Sequence, residues 1–342
     1  WKSGFKGDAR AQATCLLRPV KLYARLGDSA PLPHFLAARI GQRTGIAPAR
    51  LRAWLAQQSI SEADVGGAVD APLSRAVGRL AAPMARYFVI HDTSYPNFLL
   101  ETIPGHINDA SWDFNDFNLR NPALGGGPKG HVYVNRLGDS LSVRDFGTPG
   151  YASKLEKDKP SLTGLFLHVE LVQPRRSVPG GGKGNDGLAP DPGFTPAQYE
   201  RLALLYIAAS VRKGTWLIPA FHAVLDTGYA NGHDDPQNFS LETWSATVAR
   251  LTHIMSPPDS AQIRRARHPI GGYWRHAVRP AWLVRRSALE EACRSRLIIR
   301  LRRRGRSSAR NASSPCAMPC WPNGNIACAP ACAAPNNCSR PY

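Results

Sequence analysis

Tyr87-Phe88-Val89-Ile90-His91-Asp92-Thr93-Ser94 is the stretch from which the fold can be read. Tyr, Phe, Val and Ile in unbroken succession suit a short strand buried in a sheet, because aromatic and β-branched side chains pack well on a pleated surface. The run stops at His91, which places an imidazole at the end of a buried strand. Open α/β sheets carry their sites at such ends.

Outward from this strand the pattern continues. Val132-Tyr133-Val134, a turn at Leu137-Gly138-Asp139 and Leu141-Ser142-Val143 predict a hairpin between His131 and Phe146. Leu165 to Val172 predicts a further strand, with Phe166, His168 and Glu170 on one face and Leu165, Leu167, Val169 and Leu171 on the other. Pro174 to Pro192 reads as a Gly/Pro-rich loop; its Gly180-Gly181-Gly182-Lys183-Gly184 lacks phosphate-loop spacing and suits a surface loop near a substrate groove. Thr195-Pro196-Ala197-Gln198 is a capping box with proline at the first helical position. It opens a helix that buries Tyr199, Leu202, Leu205, Tyr206 and Ala209 and stops at Gly214. Trp216 to Phe221 predicts a strand running into His222. Strands with one intervening long helix over residues 86–250 predict an α/β domain, a central mixed β-sheet flanked by helices.

The chain of 342 residues is 43% apolar, enough for a sizeable core and against global disorder. No segment approaches the ~18 consecutive apolar residues of a membrane-spanning helix. Residues 1–80 read as a helical lead-in, a packing or wall-targeting element: Phe35, Leu36 and Ile40 fall at helical spacing, and Pro48 opens a second run with Leu51, Trp54 and Leu55. Of the net charge of +18, residues 261–342 carry +14 through 16 Arg against Glu290 and Glu291, so residues 1–260 are only mildly basic. Six of the seven cysteines also lie in this tail. Their spacing forms no zinc-ribbon pair and no histidine lies among them, so residues 261–342 read as an Arg/Cys-rich extension of low order. Nucleic acid is an expected partner only through that tail.

The chemistry-bearing positions are His91, His222 and Asp235. His222 ends its predicted strand as His91 does, and Asp235 lies in the polar loop Asn231-Gly232-His233-Asp234-Asp235-Pro236. Two imidazoles and one carboxylate leave a tetrahedral zinc ion one position for water, the arrangement of catalytic rather than structural sites. Asp226 competes for the same ion only if the segment after His222 is helical. His131 reads as a strand or supporting residue, and His168 shares Glu170's face. No G-x-S-x-G elbow is present, and Cys15 has no partner that would activate it as a nucleophile.

Taken in order, these segments resemble the zinc-dependent N-acetylmuramoyl-L-alanine amidases of type 2, which share a fold with peptidoglycan recognition proteins. Tyr87 to Ser94 is similar to the family's first-ligand strand. His131-Val132-Tyr133-Val134-Asn135-Arg136-Leu137-Gly138-Asp139 resembles its hairpin, and Leu167-His168-Val169-Glu170-Leu171 its central strand. Phe194-Thr195-Pro196-Ala197-Gln198-Tyr199 is similar to the start of its long helix. The resemblance covers residues 86–245 and implies zinc held by His91, His222 and Asp235, with Glu170 as catalytic carboxylate and His233 in the place of a basic catalytic residue. Asp234 and Asp235 both stand near the third-ligand position, and Pro236 favours Asp235. Asp92 stands where a second histidine is common, Gly130 where some members carry a catalytic tyrosine, and His233 where lysine is usual. Residues 95–130 form a longer insertion than a minimal member has.

The implied activity is hydrolysis of the amide between N-acetylmuramic acid and L-alanine in peptidoglycan or muramyl-peptide fragments. The alternative is a recognition module that binds them without cleavage. A periplasmic or extracellular location follows for a wall hydrolase, and a cytoplasmic one for a recycling member.

Overall fold

A computed structural model describes residues 5–21, 25–77, 81–117, 130–177 and 187–256, all within one compact unit. The Arg/Cys-rich segment at 261–342 and Gly180 to Gly184 lie outside the described residues.

Three helices come first: α1 (Ala9–Leu16), α2 (His34–Arg39) and α3 (Pro48–Gln57). Then follow β1 (Tyr87–Asp92), β2 (Asn97–Leu99), β3 (Val132–Val134), β4 (Ser140–Ser142) and a short α4 (Lys154–Asp158). The remainder runs β5 (Phe166–Leu171), β6 (Arg175–Ser177), β7 (Gly187–Leu188), α5 (Pro196–Lys213), β8 (Ile218–Phe221), α6 (His222–Leu225) and α7 (Leu241–Met255).

Among the described residues the main sheet has the order β4-β3-β5-β1-β8. Only the β3–β4 hairpin pairs antiparallel; β3, β5, β1 and β8 are parallel neighbours. The sheet is therefore mixed, as expected. The register sets His91 opposite Glu170 and Ile90 opposite Phe221, so the residue after β8, His222, comes level with His91. Parallel strands share one carboxyl edge, which is why residues far apart in sequence meet there.

Alternation gives the two faces different work. Phe88 packs edge-on against Tyr206 of α5 (5.3 Å), and Tyr206 against Trp244 of α7 (5.1 Å). On the opposite face Tyr87 stacks on Phe166 (4.8 Å), and its hydroxyl donates to Gln12 of α1. That second face continues through Val89 and His168 to His91 and Glu170 at the edge.

The capping box forms at Thr195 and Gln198, and Gly214 takes the left-handed conformation that ends α5. α7 was not anticipated; its stripe of Trp244, Val248, Leu251 and Met255 buries against the core and carries the domain past residue 250 to Met255. The lead-in at residues 1–80 is no separate body. Ala13, Leu16, Leu36, Leu51 and Leu55 join the same core as the sheet, and Arg212 of α5 donates to the carbonyls of Gly66, Ala71 and Pro72. The ends of the 174–192 loop also find partners: β6 pairs with β2 and β7 in a small second sheet, because extended chain beside the carboxyl edge offers free ladder positions. No helix among the described residues is long and apolar enough to cross a membrane.

Candidate metal centre

His91 is the fifth residue of β1 and buried. Its Nδ1 lies 2.8 Å from Nδ1 of His222 and 3.7 Å from Oδ2 of Asp235. His222 Nδ1 in turn lies 3.0 and 3.1 Å from the two Asp235 oxygens. Donor atoms held tetrahedrally at ~2.0–2.1 Å from one ion are ~3.3 Å apart, so spacings of this size suit a shared cation. The ring planes of His91 and His222 are inclined by 52°, which lets in-plane lone pairs converge. His91, His222 and Asp235, distant in sequence, could therefore hold a metal ion.

The proton inventory supports this. His91 Nε2 is engaged with His168 Nδ1 at 2.9 Å, and His222 Nε2 lies 3.2 Å from Oδ2 of Asp226. With protons on those outer nitrogens, and once a cation displaces the remaining proton from His222 Nδ1, both Nδ1 atoms present lone pairs to one point that a carboxylate also faces. Such a point attracts positive charge. Burial and the neighbouring imidazoles hold His91 well below the usual histidine range. Burial alone would also lower His222, yet Asp235 and Asp226 overcome it and push it up to about 10.

Asp235 is selected over Asp234 by what surrounds each. Asp234 is spent elsewhere: it accepts from Gln237 Nε2 and sits 3.6 Å from Arg175. Burial raises it to about 7. Arg175, itself buried, also holds both oxygens of Asp92 at 3.1 and 2.9 Å. Asp92, where the resemblance led one to look for a second histidine, thus clamps the Asp234–Gln237 loop: its backbone N–H donates to Asp235 Oδ2, and its carboxylate accepts from the Gln237 N–H.

Glu170 Oε1 lies 3.6 Å from His91 Nδ1, and its side chain is 13% exposed, at the mouth of the cluster. A Cβ at Gly130 would come 2.9 Å from Glu170 Cγ. Any other residue there would displace the carboxylate, which accounts for glycine at this place. His131 supports β5, its Nδ1 accepting the His168 backbone N–H at 3.1 Å.

The segment after His222 is helical, so Asp226, four residues on, does reach His222. His233 is hydrogen-bonded to Asp226 through Nδ1 and stacks on His222 at 4.1 Å with 24° between the planes. His222, Asp226 and His233 also lie close enough to suggest an ion. Their ring planes argue otherwise: imidazole lone pairs lie in the ring plane, and two stacked, nearly parallel planes do not meet within bonding distance of both nitrogens. This second group is better described as a carboxylate backing a ligand histidine, as metal sites commonly have. Sequence reasoning gave Asp226 a competing role and passed over Arg175. The i,i+4 spacing was the available signal for Asp226.

Compared with family models, with curated proteins and with solved structures, the chain finds no match.

Proposed function

We propose that the protein is a zinc-dependent hydrolase of the N-acetylmuramoyl-L-alanine amidase type, acting on peptidoglycan or its muramyl-peptide fragments outside the cytoplasm. The observation that carries this reading is the convergence of His91, His222 and Asp235 at the carboxyl edge of the sheet, with the Glu170 carboxylate beside them.

Zinc, when bound, supplies Lewis-acid polarisation and acidifies a solvent molecule to a pKa of ~7. His91 and His222 would hold it through Nδ1, and Asp235 would contribute the charge that favours a doubly positive ion. Glu170, at the rim, takes the proton from the attacking water and returns it to the departing L-alanine nitrogen, a role worth roughly 10²–10⁴-fold. His233, anchored at Nδ1 by Asp226, is the residue assigned to hydrogen-bond the developing oxyanion. The mildly basic body of the chain suits association with an anionic wall polymer.

The test is zinc content and muramyl-peptide hydrolysis, measured before chelation, after it and on zinc return. Activity should vanish and recover with the metal. Glu170→Ala should retain zinc and lose roughly 10²–10⁴ in kcat. Full activity in that variant would remove Glu170 from the mechanism, and zinc with tight muramyl-peptide binding but no turnover in the unaltered protein would make it a recognition module.

A further inference from the structure

We propose that Arg175 is a positioning residue for the metal centre: its one guanidinium holds Asp92, next to His91, and Asp234, next to Asp235, and so fixes two candidate ligands relative to each other. The inference names a residue behind that site, and its metal arm rests on the cation reading above.

Arg175 opens β6 and is 2% exposed; Asp92 and Asp234 are 5% and 1% exposed. Arg175 Nη2 donates to Oδ1 and Oδ2 of Asp92 at 3.1 and 2.9 Å and lies 3.6 Å from Oδ1 of Asp234. A guanidinium only donates and keeps its charge at any working pH, so these contacts need no assumption about a ligand's proton. Both acids are chain neighbours of candidate ligands. The Asp92 backbone N–H also reaches Asp235 Oδ2 at 3.1 Å, and Asp92 Oδ2 accepts the Gln237 N–H at 3.3 Å. Arg175 therefore ties the end of β1 to the Asp234–Gln237 loop.

The arginine is held in turn by the small second sheet. Its N–H donates to the Pro96 carbonyl at 2.8 Å, it pairs with Asn97 of β2, and its Nε donates to Ser94 Oγ at 3.3 Å. A Cβ at Gly187 of β7 would come 2.8 Å from Arg175 Cβ, so glycine lets β7 lie against this residue. Gln237 Nε2 donates to the Gly187 carbonyl at 3.1 Å, a second tie between that sheet and the loop. Stability alone does not account for this arrangement. Arg175 Nη1 is buried without a hydrogen bond, and a buried cation facing two acids carries a desolvation penalty that a well-packed apolar side chain would avoid. No other Lys or Arg among the described residues pairs with either acid. What the arginine adds is the link between β1 and the loop, and through it a set distance between the ligands they carry.

The experiment uses the full chain with Arg175→Lys, which keeps the buried charge but loses the fork. Hydrogen exchange of the Asp92 and Gln237 amides is followed without metal. Zinc and cobalt affinities are measured by chelator competition, and the visible spectrum of the cobalt form reports ligand geometry. In the variant those two amides should exchange faster while Val89 and Val169 inside the sheet stay protected. Metal affinity should fall ~10–100-fold and the cobalt spectrum should change. Unchanged exchange of the two amides overturns the proposal whatever the metal does. Faster exchange with affinity and spectrum unchanged also overturns it, because the loop then moves without the ligands. Faster exchange in a chain that binds neither ion supports the link and overturns the cation reading. If Arg175→Lys does not fold, Asp234→Ala decides, since it removes one buried acid and cuts one arm of the link: weaker metal binding with an altered cobalt spectrum supports the proposal, and both unchanged overturn it.

Discussion

His222 has one carboxylate–histidine pair on each side, and the two sides are built differently. Towards Nδ1 stand His91 and Asp235, with the neighbouring ring tilted by 52°. Towards Nε2 stand Asp226 and His233, with the neighbouring ring stacked at 24°. Donor types and distances are similar, so proximity alone would mark both as ion sites. Ring orientation separates them, because a lone pair is directional and a centroid distance is not. One side can grip an ion; the other holds the grip in place.

Three substitutions break or sharpen this contrast. The largest effect belongs to His222→Ala, which removes the residue common to both sides. If a zinc site is worth ~10–16 kcal/mol over about four ligands, losing one costs ~3–4 kcal/mol, or roughly 10²–10³-fold in affinity. Chelator competition measures it, and the rise in melting temperature that zinc should give the unaltered chain should be much reduced in the variant. Asp226→Ala leaves the gripping side complete and removes its support, so zinc affinity should fall by only ~10–100-fold in the same titration. An effect as large as that of His222→Ala would make Asp226 a ligand. His233→Ala is the smallest perturbation of the metal: affinity should stay as in the unaltered protein while hydrolysis drops ~10²-fold for loss of an oxyanion donor. Zinc loss in this variant would show that the stacked side binds an ion after all.

Much of the fold could be read from local chemistry. The apolar run at Tyr87–Ile90, the alternation through Phe166–Leu171, the Thr195 box and Gly214 each act within a few residues, and each is found as read. α7 escaped because its stripe of Trp244, Val248, Leu251 and Met255 lies close to the assumed end of the domain. The lead-in was set apart because helical periodicity identifies a buried face without naming what covers it; Phe35 turned out to meet Trp216, edge-on at 5.8 Å. In the candidate site, His91, His222 and Asp235 came from strand ends and from a resemblance. Arg175 had no such signal: a charged residue in a loop-like stretch reads as solvated until tertiary packing buries it.

The sequence by itself determined which residue types stand at the strand ends, where the long helix begins and stops, and that a near-neutral body carries a strongly basic tail. Those features follow from periodicity, capping and composition, all short-range properties of the chain. Only the tertiary structure decided that His91 and His222, 131 positions apart, point the same nitrogen at one place. It also turned Asp234 to Arg175 and Asp235 to the imidazoles. Convergence depends on strand register and on the orientation of ring planes and carboxylates, and these are fixed when the parallel strands pair and the core closes around them, not by any stretch of neighbouring residues.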